Sequence, residues 1–171
     1  MLWSSLTISG IGFAGYLFTM SSGLALQIGT FIVMGIGLGA AITAASSAML
    51  LNAPTSQAAM AASIEEVSYE FGAALGIATL GSLLSAIYTV SIRLPDHPSL
   101  SAAAADSIRN SIDIAVNLAS TLPQPLSALI TDEAHRAFDQ GFWVIMMICT
   151  VVLLTTAFLV ARQRPDNRHS Q

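Results

Sequence analysis

The stretch Ser63-Ile64-Glu65-Glu66-Val67-Ser68-Tyr69-Glu70-Phe71-Gly72 holds the residues whose types and spacing best suit chemistry. Glu66 and Glu70 are four apart, so on a helix they share one face, and Glu65 lies one position round, beside Tyr69. A carboxylate pair at the mouth of a membrane helix can bind a cation, accept a proton, or exchange one for the other. Partial desolvation raises a carboxylate pKa, and a second negative charge nearby raises it further, which brings protonation toward physiological pH. Acids at membrane depth are costly and are candidates for function for that reason. A plainer role competes. Ser63 and Glu66 fit a capping box, and negative charge at a helix N-terminus is stabilised by the macrodipole, so the glutamates can simply sit among lipid headgroups.

Little else in the chain can do chemistry. Cys149 is the one cysteine, so no internal disulfide forms, and no Cys/His cluster has metal-ligand spacing. His97, His135 and His169 all lie outside the apolar blocks. There is no Walker motif and no nucleophile–base pair, so neither an enzyme nor a cofactor or metal is expected. The chain has no lysine and a net charge of −4, which leaves no surface to track nucleic-acid phosphates.

The elements that position the glutamates follow from composition. Hydrophobic residues make up 54% of the chain and charged residues 9%, and the apolar ones come in blocks rather than at amphipathic spacing. A hydrocarbon core of ~30 Å is crossed by about 20 apolar residues in a helix. The fold class expected is all-α membrane protein, with four transmembrane helices and a long, partly helical external loop. The spans are read at 2–20, 24–51, 64–92 (apolar from 71) and 141–161. The loop covers 93–140 and a tail covers 162–171. The first block lacks the basic flank of a signal peptide and is read as a span. Arg162, Arg164 and Arg168 mark the tail as cytoplasmic, which puts both termini inside and the acidic loop outside. Asn52–Ala62 is read as a short polar link. In the loop, Ile108, Ile112, Ala115 and Leu118 fall on one face of an amphipathic helix from Ser101 to Ser120, broken by Pro123 and Pro125. Thr131-Asp132-Glu133 looks like the start of the helix that becomes the last span. Trp3 and Trp143 sit where interfacial aromatic anchors are placed.

Glycines are the second signal. Gly10, Gly12 and Gly15 crowd the first span and Gly37 lies in the second; Gly35 and Gly39 in the second span, and Gly72 and Gly76 in the third, are at GxxxG spacing, and Gly81 follows. Such small faces let helices approach closely or slide, and the last five are the candidates for packing or gating. Asn52, Gln57, Thr43, Ser46 and Ser47 are candidates to line a polar path, although membrane Ser and Thr often bond their own backbone.

The run Gly35-Ile36-Gly37-Leu38-Gly39, then Pro54, then Phe71-Gly72-Ala73-Ala74-Leu75-Gly76-Ile77-Ala78-Thr79-Leu80-Gly81-Ser82 resembles the last part of a major facilitator superfamily transporter. It is similar in particular to the fourteen-helix drug:proton antiporters, and among them to methyl viologen and quaternary ammonium efflux proteins. The resemblance implies that the spans correspond to helices eleven to fourteen, in a bacterial inner membrane. It implies export of lipophilic cations against inward proton flow, with Glu66 and Glu70 at acidic positions of helix thirteen and Glu65 beside them. Its partners are then the bilayer, protons, lipophilic cations and the N-terminal helices of a longer parent. Alternating access needs two halves around a midplane site, so the chain is expected to be a C-terminal fragment, inactive alone. Two other readings compete: a stand-alone four-helix protein that oligomerises into a small exporter or channel, and a membrane scaffold that works through its external loop.

Overall fold

The computed structural model describes residues 1–20, 22–95 and 100–162, and every regular element among them is helical. Ser21 of the first turn, Asp96 and His97 of the loop, and Arg164, Arg168 and His169 of the tail lie outside the described residues. In chain order the helices are α1 (Leu2–Thr19), α2 (Leu24–Asn52), α3 (Ala58–Ser91), α4 (Ala102–Asn110), α5 (Ile112–Ala119) and α6 (Leu126–Arg162), with a 3-10 turn, Thr55–Gln57, ahead of α3.

Three segments are long and apolar enough to cross a membrane: Leu24–Asn52, Thr55–Ser91 and Leu126–Arg162. Sequence reading leads one to expect four. The difference is α1, whose 18 residues are diluted by Ser4, Ser5, Thr7, Ser9 and three glycines. Most of that polarity is satisfied inside the helix. Ser4 donates to the Met1 carbonyl (2.6 Å), Ser5 to the Leu2 carbonyl (2.9 Å) and Thr7 to the Trp3 carbonyl (2.7 Å), an arrangement that suits lipid.

Helix ends differ from the sequence expectation for local reasons. The residue before a proline is pushed out of the helical region. Ala53 is accordingly extended (φ −79°, ψ 138°), and α2 stops at Asn52. The helix restarts almost at once, so α3 begins at Ala58 instead of 64 and takes up much of the stretch read as a polar link. Ser63 is therefore interior to α3 and does not cap it; its hydroxyl donates back to the Ala59 carbonyl (3.1 Å). Likewise α6 starts at Leu126, directly after Pro125, rather than at Thr131, because proline suits the entry to a helix. The single amphipathic helix expected over 101–120 is two, since Ser111 is extended (φ −158°, ψ 134°) between α4 and α5.

Two compact bodies divide the chain: residues 1–72 with the stretch from 146 onward, and residues 73–145. In the first, α1 and α2 form an antiparallel hairpin. A Cβ placed on Gly37 would lie 2.5 Å from the Ser9 backbone nitrogen, and one on Gly12 2.8 Å from that of Met34. Tyr16 and Phe31 close the hairpin near its turn, with ring centroids 4.9 Å apart. On the far stretch of this body, Leu154 of α6 packs its side chain against Gly10.

The second body has a core. Ile108, Ala115, Ala119, Ile130, Ala134 and Ala137 are fully buried, and Tyr88, Ile92 and Leu126 nearly so. Helix ends in this body are closed by side chains. Ser101 caps α4 by accepting from the Ala104 N–H (3.2 Å). At the other end of α4, Tyr88 donates to the Ile108 carbonyl (3.0 Å) and Thr89 to the Arg109 carbonyl (3.0 Å). Arg136 donates to the Ser91 carbonyl at the end of α3 (3.3 Å) and pairs with Glu133. The described part of the loop thus packs with the end of α3 around a shared interior.

Candidate functional site

The α1–α2 register fixes which stretch of α2 extends beyond α1. Ser9 lies against Gly37 and Gly12 against Met34, so positions rise along α1 as they fall along α2. Extending that pairing one for one brings Leu2 level with Ala44, and the rest of α2 overhangs the start of α1. The overhang carries Ser46, which meets Glu65 of α3, and Glu65, Glu66 and Glu70 all lie in the first half of that helix.

The structure separates the three acids. Ser46 of the α2 overhang donates its hydroxyl to Glu65 Oε1, and both residues are half-buried. Glu65 thus ties α3 to α2. Glu66 and Glu70, one turn apart, are exposed. The sequence places no Lys, Arg or His anywhere in residues 1–72, so no cationic side chain of that segment neutralises them. Neither makes an ion pair among the described residues. Among the described residues no group of three or more His, Cys, Asp and Glu can hold a metal ion.

The polar residues read as a path divide in the same way. Thr43 and Asn52 spend their side chains on their own helix, on the carbonyls of Gly39 (2.9 Å) and Ala48 (2.6 Å). Thr43 and Ser47 also line an open groove of about 660 Å³ with Ser4, Ser5 and Ile8. Asn52 and Gln57 line another of about 350 Å³ at the α2–α3 turn, with Pro54, Met60 and Ile64. Neither groove is lined by Glu66 or Glu70.

The glycines are sorted by contact. A Cβ on Gly35, Gly39, Gly72, Gly76 or Gly81 would meet no atom within 4 Å, so the five candidate packing glycines present open faces in this chain. Close approach occurs instead at Gly10, Gly12, Gly37 and Gly141. GxxxG spacing identifies a smooth face but not the helix that covers it. Sequence reasoning missed Gly37 and Ser9 as a contact, and missed the Ser46–Glu65 bond, because both join residues distant in sequence. The one available signal was Ser46 itself, a hydroxyl in an apolar block.

The arrangement is that of an all-helical membrane protein with two exposed carboxylates on one face of α3. No family model matches the chain. It is 37% identical over 153 residues to the methyl viologen resistance protein SmvA of Salmonella typhimurium, covering 89% of this chain and 30% of that protein. It is 29% identical over 163 residues to the multidrug efflux pump LfrA of Mycolicibacterium smegmatis, covering 94% of this chain and 32% of LfrA. It is also 25% identical over 157 residues to the tetracenomycin C resistance and export protein of Streptomyces glaucescens, covering 86% and 29%. The chain is therefore homologous, over most of its length, to multidrug efflux proteins of the major facilitator type. It spans about 30% of the length of the relatives named here.

Proposed function

We propose that this chain supplies the C-terminal helices of an efflux transporter that exports lipophilic or quaternary ammonium cations, methyl viologen among them, in exchange for protons. The observation that carries the reading is the 37% identity, over 89% of the chain, to a methyl viologen resistance protein. The exposed pair Glu66 and Glu70 is assigned the cation or proton, and Glu65 a structural tie to Ser46. Both carboxylates are exposed on one face of α3, open to a cation or a proton.

The work of alternating access is assigned to an assembly with more helices than these, because two halves must rock around a midplane site. On this reading the chain sits in a bacterial inner membrane with Glu66 and Glu70 toward the cytoplasm, and it does not transport alone. Glu70→Gln in the full-length transporter tests it. Resistance of cells to methyl viologen is expected to fall by about tenfold, as for the loss of ~1.4 kcal/mol of coupling. Unchanged resistance to every cation tried would remove Glu70 from the mechanism.

A further inference from the structure

The glutamates leave the second body without a role, yet that body contains a small pocket. It holds about 180 Å³ and is lined by Leu84, Ser85 and Tyr88 of α3, Asn110 and Ile112 at the break between α4 and α5, and Phe138 of α6. We propose that this pocket is a second binding site, for one ring or headgroup of a planar or compact quaternary cation.

Four observations point to that chemistry. First, two aromatic side chains form part of the wall. Tyr88 is held in place by its hydroxyl bond to the Ile108 carbonyl, and Phe138 stacks on Phe142 with ring centroids 6.3 Å apart. Fixed aromatic rings attract a desolvated cation through their quadrupoles without the cost of ordering a mobile side chain. Second, the polar groups at the pocket are neutral oxygen bearers: the Asn110 amide and the hydroxyls of Ser85 and Ser111. They solvate a positive charge with their oxygens, and no basic residue is among the lining.

Third, the surrounding field is negative. The described residues of this body carry Asp106, Asp113, Asp132, Glu133 and Asp139 against Arg93, Arg109 and Arg136. Arg109 is paired with Asp106 and Arg136 with Glu133. Asp113 and Asp139 make no ion pair among the described residues and directly follow the lining residues Ile112 and Phe138, whereas Arg109, which precedes Asn110, is paired with Asp106. Exposed carboxylates beside a cleft raise the local concentration of cations. Fourth, the walls are held by a packed interior rather than by a loose loop, so the pocket exists before a ligand arrives. The identity of the cation rests on the proposed function; the existence of a cation pocket rests on the geometry.

Asn110 allows a test without damage to the core, since it is exposed and at the end of α4. The full chain in detergent is titrated calorimetrically with methyl viologen and, as control, with 4,4′-bipyridine, the same rings without charge. Asn110→Lys is expected to weaken methyl viologen binding by about tenfold and Asn110→Asp to strengthen it by a similar factor, as one charge at contact range would. Bipyridine binding should not respond to either change. Phe138→Leu should weaken methyl viologen binding while circular dichroism stays that of the parent chain. Methyl viologen binding that ignores both Asn110 changes overturns the pocket. Binding that ignores Asn110 but is lost in Glu66→Gln/Glu70→Gln also overturns it, and leaves the proposed function standing. Absence of binding to the chain overturns the pocket as well, while the proposed function is judged separately by the resistance assay.

Discussion

In the α1–α2 hairpin, Gly37 sets its backbone against Ser9, and large side chains such as Ile32, Ile36 and Phe18 stay exposed. Around α4 and α5 an apolar core forms instead: Ile108 and Ile130 are fully buried and Asp113 and Asp132 lie outside, although Ile114 and Leu129 stay exposed. The two regions are built for different solvents. Lipid is as apolar as a leucine side chain, so burying leucine between membrane helices brings no hydrophobic gain, and close backbone approach supplies the packing instead. In water, apolar burial is the dominant driving force, and a small unit must collect a core. The contrast argues that the described residues of 100–140 form a folded unit, the cap, built for water, and that the hairpin is built for hydrocarbon.

Substitutions can break this comparison at either end. The largest effect is expected for Ile130→Ala, which opens a cavity in the cap at a cost of about 2–4 kcal/mol. Hydrogen exchange of α4 and α5 should accelerate to match, with the α1–α2 hairpin unchanged. Next, Gly37→Leu should destabilise the hairpin by about 1–3 kcal/mol in a detergent unfolding assay, because its Cβ meets the Ser9 backbone, which cannot yield. Gly39→Leu is its control and should be nearly neutral in this chain, since its Cβ meets nothing. If the two glycines behave alike, the register is wrong.

Tyr88→Phe sharpens the comparison by removing one bond and no packing. It should cost about 1–2 kcal/mol, because the Ile108 carbonyl at the buried end of α4 loses its partner. The effect should be confined to exchange of the cap. The smallest effect is expected from pH. Glu133 lies on α6 before its apolar stretch, and the Arg136 hydrogen bond, with lesser help from Arg93, holds its carboxyl below the ordinary 4.5. A lowered carboxyl pKa contributes stability in full above the unfolded value, and that contribution is lost as pH falls through the folded value. A melting curve of the cap should therefore decline slightly below pH 4.5, and Glu133→Gln should remove that part of the decline.

Much of the helical content was legible because apolar blocks leave a chain in lipid few alternatives to the helix. Pro54 and Pro125 located two breaks, and Ser101 located the start of α4. The helix starts inferred at Ser63 and Thr131 failed together, since cap-like residues can occur one or two turns inside a helix that a better-placed proline or turn has already begun. The apolar face of Ile108, Ile112, Ala115 and Leu118 was visible as a period, but the kink at Ser111 was not. That kink is where the Tyr88 and Thr89 hydroxyls take over the carbonyls at the end of α4.

The candidate site shows the same division. Local spacing alone put Glu66 and Glu70 on one face and Glu65 on another, since a helix fixes neighbours three and four residues away. It also determined that no cation in residues 1–72 could balance them. Only the tertiary structure decided that Glu65 is spent on Ser46, that Gly37 rather than Gly35 or Gly39 faces Ser9, and that Asn110 and Phe138 share a pocket with Tyr88. The physical reason is range. Composition and period act along the chain and choose the helix and its faces, whereas the partner of each face is chosen by steric and polar complementarity between segments that the sequence keeps apart.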